Sequence, residues 1–166
     1  WVYLVVGEGP QRTTIEAAVE AHKLADKVRL LGRVSQAELR VAYALANVFV
    51  MPNVPVTDDA EGFGIVSLEA RAAGLPVVAA NLQGIAESIE DEEDGLLVPP
   101  RDYAAYVHAI DRLLERGSIA AEQQRRRERV AARFGWSNIA SRYLSLFRRV
   151  EAAYEKQRGG SIANRD

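Results

Sequence analysis

Residues 61–80 read EGFGIVSLEARAAGLPVVAA, and this stretch predicts one unit of an α/β fold. Its middle is a mostly apolar helix that ends at Gly74, because glycine accepts the left-handed conformation that often closes a helix. Pro76 then opens the apolar strand Val77–Ala80, and a second apolar run, Val48–Met51, precedes the whole stretch. Strand, helix and strand in this order predict parallel strands joined by a crossover helix.

The same alternation runs through the first two thirds of the chain. Short apolar runs bounded by Gly, Pro or Asn are typical of buried parallel strands. The runs are Val2–Val6, Val28–Leu31, Val48–Met51, Val77–Ala80 and Leu96–Val98. Helix signals lie between them, such as the capping-box pattern Ser35-Gln-Ala-Glu38. The pattern predicts a Rossmann-like, doubly wound parallel sheet with helices on both faces.

The last third of the chain contains no strand pattern. Asp102, Ser118 and Ser137 are each placed to cap a helix, so we expect extra C-terminal helices. We predict one domain over residues 1–157 and a flexible tail over residues 158–166.

Composition excludes several classes of function. The chain has 166 residues, a formal net charge of −2 and no cysteine. The charge argues against a nucleic-acid surface, and the lack of cysteine excludes a thiolate nucleophile and suggests a reducing, cytoplasmic compartment. No apolar run approaches the ~18 residues of a membrane span. The first residue is Trp1, inside a strand-like run, so we expect an excerpt of a longer chain.

The loop and helix start within residues 61–69 are the candidate for chemistry. Gly62 and Gly64 allow a ligand to approach the backbone closely. The free N–H groups of the helix start favour a phosphate. Glu69 lies between Leu68 and Ala70, where a buried carboxylate would need donors such as the two hydroxyls of a ribose. The alternative is an ordinary glycine-rich turn followed by a solvent-exposed glutamate.

Glu61 and Glu69, separated by seven residues with Gly-Phe-Gly after the first, resemble the donor motif of glycosyltransferase family 4. Further segments resemble that family in the same order over about residues 1–150. They are Val5-Val-Gly-Glu-Gly-Pro10, Leu30-Leu-Gly-Arg-Val-Ser35, Ala73-Gly-Leu-Pro-Val-Val-Ala79, Gly84-Ile-Ala-Glu-Ser-Ile89, Asp94-Gly-Leu-Leu-Val-Pro-Pro100 and Phe134-Gly-Trp-Ser137.

The resemblance implies the C-terminal, donor-binding domain of a glycosyltransferase of the B type. The intact enzyme would transfer a hexosyl group from a nucleoside diphosphate sugar to an acceptor hydroxyl, with retention of configuration. No cofactor and no metal would be required. The first strand–helix unit, the acceptor domain and the family's Arg/Lys pair for the diphosphate would precede Trp1, so this chain alone is expected to be inactive. Two further departures are a long loop, Val54–Ala60, and Gln83 at a frequent glycine position.

The resemblance also assigns roles to residues of this sequence. Glu61 would be the catalytic residue, holding the hydroxyls of the transferred sugar and stabilising charge. Glu69 would bind the ribose. The remaining donor-binding residues would be Gly62, Phe63, Gly64, Ile65 and Val66 around the phosphates, Gly7 and Gly9 lining the cleft, and Arg33 and Val34 beside the base.

The expected partners are a nucleotide-sugar donor and a glycan, lipid or small-molecule acceptor, with no nucleic acid. The resemblance allows peripheral membrane association of the full-length protein, at the inner face of the membrane. Two other functions stay open: a sugar-nucleotide epimerase or isomerase on the same fold, and a non-enzymatic nucleotide-sugar-binding module.

Other features favour structural interpretations. Gly7-Glu-Gly-Pro10 lacks the third glycine of a dinucleotide fingerprint. Asp58-Asp59 has no His or Cys nearby and is interpreted as a solvated loop instead of a metal site. His22 and His108 have no evident catalytic partner. Arg125–Arg129 is interpreted as a solvated helix face. Ser67 lacks a triad and is assigned to packing, or at most to a ligand hydrogen bond.

Overall fold

The computed structural model describes residues 1–55, 64–89, 92, 94–117 and 119–162. The chain divides into two compact units, Trp1–Ala46 and Asn47–Asp166. We call them unit 1 and unit 2.

Unit 1 alternates two strands with two helices. Its elements are β1 (Tyr3–Val6), α1 (Arg12–Ala21), β2 (Val28–Gly32) and α2 (Gln36–Leu45). The two strands pair in parallel, with Tyr3 opposite Val28. The predicted capping box is confirmed at the start of α2. The Ser35 hydroxyl accepts from the Glu38 N–H at 3.3 Å, and the Ser35 N–H donates to the Glu38 carboxylate at 2.7 Å.

Unit 2 contains a three-stranded parallel sheet in the order β3-β4-β5. Its first elements are β3 (Phe49–Met51), α3 (Ile65–Ala72), β4 (Val77–Ala80), α4 (Gln83–Ala86) and β5 (Gly95–Val98). All four residues of the central strand β4 are fully buried, as the apolar runs predicted. Val78, Leu96 and Val98 pack with Tyr106 and Ala109 into the core cluster of this unit.

Two glycines in unit 2 lie where the backbone geometry favours glycine over other residues. Gly74 follows α3 with a φ of +95°, which confirms its predicted role as the residue that closes the helix. Gly95 begins β5 opposite Val77, and a side chain there would place its Cβ 2.1 Å from the Val77 carbonyl oxygen. Only glycine therefore allows β5 to approach β4 so closely.

Three helices complete unit 2: α5 (Tyr103–Arg116), α6 (Ala120–Phe134) and α7 (Trp136–Ile162). Asp102 caps α5 as predicted, because its carboxylate accepts from the Ala105 N–H at 2.9 Å. The predicted cap at Ser118 lies outside the described residues, and Ile119 occupies the cap position of α6.

Two sequence-based boundaries in the last helix were wrong. Ser137 does not cap α7, because the helix already begins at Trp136 after the extended residue Gly135. The helix also continues to Ile162, into the stretch after residue 157 for which the sequence predicted no helix. Once a helix is established, each added residue gains a hydrogen bond. The glycine pair near the end therefore weakens this helix without ending it. The domain bounds themselves stay a prediction.

Candidate functional site

The start of α3 lies at the carboxyl end of β3. Gly64 precedes the helix in the left-handed conformation, with φ 68° and ψ 51°. A Cβ at this position would lie 3.2 Å from the Met51 methyl carbon and 3.6 Å from Ile85. The left-handed conformation therefore favours glycine here, and a Cβ would also require the Met51 methyl group to shift slightly. The carboxyl edge of a parallel sheet is also where open α/β folds bind their ligands.

The first turns of α3 expose one face. Ile65 is 67% exposed and Val66 is 44% exposed, which is unusual for β-branched residues in a helix that packs on a sheet. Glu69 is exposed on the same side, four residues after Ile65 and three after Val66. The structure thus brings three predicted donor-binding residues onto one open face, next to helix N–H groups that have no partner within the helix.

The predicted burial of Glu69 was wrong. Leu68 and Ala70 flank it in sequence, but a helix turns about 100° per residue, so neighbours in sequence point in different directions. The buried face carries Ser67, Ala70 and Arg71 instead. Glu69 is exposed, so burial does not argue that it needs a ligand.

Arg71 forms a buried hydrogen-bond centre behind that open face. Its guanidinium donates to the Ser67 carbonyl at 3.3 Å, the Ser88 carbonyl at 2.7 Å and the Asp94 carboxylate at 2.5 Å. Arg71 and Asp94 are only 1% and 3% exposed. The planar fork of arginine suits three acceptors in three directions. This contact connects α3 to the segments after α4 and before β5.

A chain of contacts leads from Arg71 to the start of α3. Arg71 binds the carbonyl of Ser88, and the hydroxyl of the same residue donates to the Ile85 carbonyl at 2.8 Å. The Ser88 hydroxyl also lies 3.2 Å from the Ser67 hydroxyl. Ile85 in turn packs beside Gly64. The network therefore holds the α3 start in place, which is the preorganisation that a binding site needs. Ser67 is fully buried in it, in agreement with the packing role predicted from the sequence.

Sequence reasoning missed this network, although one signal was available. Arg71 lies on the helix face that also carries Ser67 and Ala70, among small and apolar residues. An arginine on such a face must find buried acceptors, because an unpaired charge there is costly. The pairing with Asp94, 23 residues away, is visible only in three dimensions.

The carboxyl end of α3 is held by the arginine run of α6, which corrects the prediction of a solvated face. Arg126 is 9% exposed and donates to the Gly74 carbonyl at 3.2 Å. Arg127 donates to the Ala73 carbonyl at 2.9 Å. These donors satisfy carbonyls that a helix end leaves without partners. α6 packs directly on α3, so its charge run faces protein as well as solvent.

The end of β3 is fixed from the other side by Tyr106. Its hydroxyl donates to the Met51 carbonyl at 3.1 Å, and burial raises the pKa of Tyr106 to about 12. The phenol thus stays protonated and donating at any physiological pH. Met51, Gly64 and Ile85 form the floor beneath the open face of α3.

Unit 1 holds the other predicted site residues at the carboxyl ends of its two strands. Gly7 follows β1 with a φ of +128°, and its N–H donates to the Gly32 carbonyl at 2.8 Å. Gly9 ends the same turn, with open space where a Cβ would stand. Arg33 is exposed and Val34 is half-buried just after β2. Parallel pairing brings these two groups of residues to one edge of the sheet.

Some of the predicted site residues lie outside the described part of the chain. Glu61, Gly62 and Phe63 lie outside the described residues, as do Asp58 and Asp59. Their roles therefore stay predictions. His22 and His108 are both exposed, which agrees with the surface interpretation.

The described part of the chain has neither a candidate metal cluster nor a candidate membrane span. No three or more His, Asp or Glu side chains gather there at a spacing that would hold a metal ion. No helix in that part is both long and apolar enough to cross a membrane. Independence of metal stays a prediction.

Comparison with known sequences identifies the class of protein. A family model described as "Glycosyl transferases group 1" matches residues 1–133. The chain therefore belongs to the group 1 glycosyl transferases, as its motifs indicated.

Two glycosyltransferases are among the relatives that this chain resembles in sequence. The chain is 36% identical over 153 residues to a GDP-mannose-dependent alpha-(1-6)-phosphatidylinositol monomannoside mannosyltransferase of Mycobacterium tuberculosis, covering 90% of this chain and 40% of the relative. It is 35% identical to a D-inositol 3-phosphate glycosyltransferase of Streptomyces bingchenggensis, covering 93% of this chain and 34% of the relative. The chain thus spans well under half the length of these relatives.

Solved structures confirm the fold. A sucrose-phosphate synthase from Thermosynechococcus elongatus matches with a TM-score of 0.73 and 38% identity, over 90% of this chain and 38% of that one. A glycosyltransferase from Rickettsia africae matches with a TM-score of 0.77 at 22% identity, over 90% of this chain and 40% of that one. The predicted Rossmann-like domain of the glycosyltransferase B type is therefore confirmed.

Proposed function

We propose that this chain binds the donor of a retaining glycosyltransferase, which transfers a hexosyl group from a nucleoside diphosphate sugar to a hydroxyl of a glycan or lipid acceptor. The observation that carries the proposal is the open face of α3, which begins at the carboxyl end of β3 with Gly64 in the left-handed conformation. Membership of the glycosyl transferase family supports the same reading. Relatives named for GDP-mannose and for inositol-containing acceptors support the donor and acceptor classes.

The donor would lie along this face. The N–H groups of Gly64, Ile65 and Val66 would bind the diphosphate, where the helix dipole also favours negative charge. Glu69 would accept from the ribose hydroxyls. Gly62 and Phe63 would belong to the turn that precedes the phosphates, and Glu61 would reach the transferred sugar.

The resemblance to the family also assigns donor contacts to residues of unit 1. Gly7 and Gly9 would line the cleft by their backbone, which approaches a ligand closely because neither carries a side chain. The backbone around Arg33 and Val34 would meet the base.

The residues of this chain would act mainly on the leaving group. As the glycosidic bond breaks, the diphosphate gains negative charge, and preorganised N–H donors stabilise that charge most in the transition state. The Arg71 network serves this step by holding the helix start rigid. The acceptor would attack from the leaving-group face, so Glu61 positions the sugar and stabilises charge without acting as a nucleophile. The reaction is proposed to need no metal and to take place in the cytoplasm, at the inner face of the membrane.

Glu69→Gln in the full-length enzyme tests the site. The exchange keeps the size of the side chain but removes its charge and one acceptor oxygen. Charge-assisted hydrogen bonds of this kind contribute about 1.5–3 kcal/mol, so we expect ten- to a hundredfold weaker binding of nucleoside diphosphate by calorimetry. Glu20→Gln, an exposed glutamate of α1, is the matched control. Equal affinity in wild type and Glu69→Gln would remove Glu69 from the ribose site.

The same preparation separates transfer from isomerisation. A full-length protein that alters a nucleotide-sugar with no acceptor present would be an epimerase or isomerase. Sugar transfer that appears only when an acceptor is added supports the proposal.

A further inference from the structure

A second concave site lies in unit 2, at the edge of the sheet opposite to Gly64. A groove of about 370 Å³ opens where β4 and β5 begin, beside Pro76 and Gly95, and its walls come from α5 and α6. The start of α3 stands at the carboxyl ends of the strands, so the groove does not belong to the proposed donor site.

The groove is strongly basic. Among the described residues, its lining includes five arginines and two glutamates, an excess of three positive charges in a chain whose formal net charge is −2. The five arginines are Arg112, Arg116, Arg125, Arg126 and Arg129. Concentration of one sign of charge in a concave surface attracts ions of the other sign.

Carboxylates engage four of these five arginines, and Arg129 is engaged from outside the groove lining by Asp94, at 3.9 Å. Glu92 forms a two-point pair with Arg112, at 3.0 and 2.6 Å. Glu122 contacts Arg116 and, at 3.3 Å, Arg126. Arg125 has no hydrogen bond or ion pair to any of the described residues.

Arg126 also has a hydrogen-bond donor without an acceptor among the described residues. Its side chain is buried, yet its Nε has no hydrogen-bond partner within the described part of the chain. Burial lowers the pKa of Arg126, an effect that the Glu122 carboxylate partly offsets. Buried polar atoms in native proteins nearly always have a partner, so this N–H is an unused donor in an arginine that lines the groove.

We propose that this groove binds a phosphate group. Guanidinium groups match the oxygens of phosphate in two-point hydrogen bonds, and several of them around one concavity suit an anion with more than one charge. Its volume accommodates a phosphorylated small molecule or a lipid headgroup. No aromatic side chain of the described residues lines it, so none of these residues would stack on a nucleic-acid base.

The direct test titrates inorganic pyrophosphate into the 166-residue chain by calorimetry at low ionic strength. Arg125→Gln removes the unpaired guanidinium and should weaken binding about three- to tenfold, since the contact is charge-assisted but partly exposed. Glu92→Gln removes a competing carboxylate and should strengthen binding. Arg148→Gln, which makes the same charge change on α7 outside the groove, should leave the affinity unchanged.

Each outcome decides the proposal. Opposite effects of Arg125→Gln and Glu92→Gln support it, provided both variants melt at the wild-type temperature. Three results would overturn it: no binding, equal affinity in all variants, or an equal loss of affinity in Arg125→Gln and Arg148→Gln. Pyrophosphate that binds only at the start of α3 would give equal affinity in all variants, because the groove variants would not alter that site.

Vesicles identify the source of the phosphate. Sedimentation with phosphatidylinositol vesicles that is lost in Arg125→Gln, but absent with phosphatidylcholine alone, indicates a lipid headgroup. Binding of pyrophosphate without sedimentation indicates a soluble phosphate. Either result supports a phosphate site, and failure of both probes overturns it whatever happens to donor binding.

Discussion

The strands of the two units have similar sequences but different surroundings. In unit 1, Tyr3, Leu4 and Val6 of β1 are each 39–40% exposed, and α1 has no buried residue. In unit 2, every residue of β4 is 0% exposed. Both strands are continuous apolar runs of the kind that parallel sheets bury on both faces. An apolar run therefore predicts a strand, while its burial depends on which elements cover it.

The coverage in unit 2 comes from specific elements. β4 pairs with β3 on one edge and β5 on the other, and α5 packs on the sheet through Tyr106 and Ala109. In unit 1 each strand has one paired partner among the described residues. We expect unit 2 to carry most of the stability of this chain, and the following predictions test that difference.

The largest effect is expected from Arg71→Met. The variant leaves Asp94 as a buried carboxylate without its main partner, and breaking a buried ion pair in this way costs about 3–5 kcal/mol. Urea unfolding followed by tryptophan fluorescence and far-UV circular dichroism measures the loss. Arg148→Met on the exposed side of α7 is the control and should lie within about 0.5 kcal/mol of wild type. A wild-type midpoint for Arg71→Met would show that the network does not hold unit 2 together.

Gly95→Ala should have the next largest effect. The new Cβ would stand 2.1 Å from the Val77 carbonyl, so β5 must move away from β4. Overpacking of this kind costs about 1–3 kcal/mol. Gly9→Ala in unit 1 makes the same chemical change into open space and should be nearly neutral. Equal stabilities of the two variants would contradict the difference in packing between the units.

Amide hydrogen exchange compares the units without mutation. Strands that are exposed and paired on one edge open locally, whereas buried central strands exchange only when the unit unfolds. We expect the amides of β1 to exchange roughly tenfold faster than those of β4, which corresponds to ~1.4 kcal/mol. Equal protection would mean that unit 1 is covered as well as unit 2 in solution.

The smallest effect should come from Ser35→Ala. The exchange removes the hydroxyl that accepts from the Glu38 N–H, which costs about 1 kcal/mol, and keeps the backbone N–H that donates to the Glu38 carboxylate. The backbone N–H of Ser35, followed by its hydroxyl, lowers the pKa of Glu38 below its ordinary 4.5. This contribution is therefore complete above about pH 4.5 and is lost as pH falls through the lowered pKa. Wild type should lose this part of its advantage over Glu38→Gln in acid, and a pH-independent difference between those two proteins would exclude the Glu38 carboxylate from the cap.

Local signals in the sequence decided the elements of this protein. Apolar runs, the capping box at Ser35, the cap at Asp102 and the stop at Gly74 each depend on residues close together in the chain. The ordered motifs over residues 1–150 likewise indicated the family, and the family comparison confirmed it. Such features are readable from sequence because their physics is local.

Tertiary structure decided which polar groups are buried and what they contact. Glu69 is exposed although its sequence neighbours are apolar, and Arg126 is buried although it lies in a charge run. Arg71 meets Asp94 and Ser88 only because three separate segments converge on it. The free energy of a charged group depends on the dielectric and the partners around it, and long-range packing sets both.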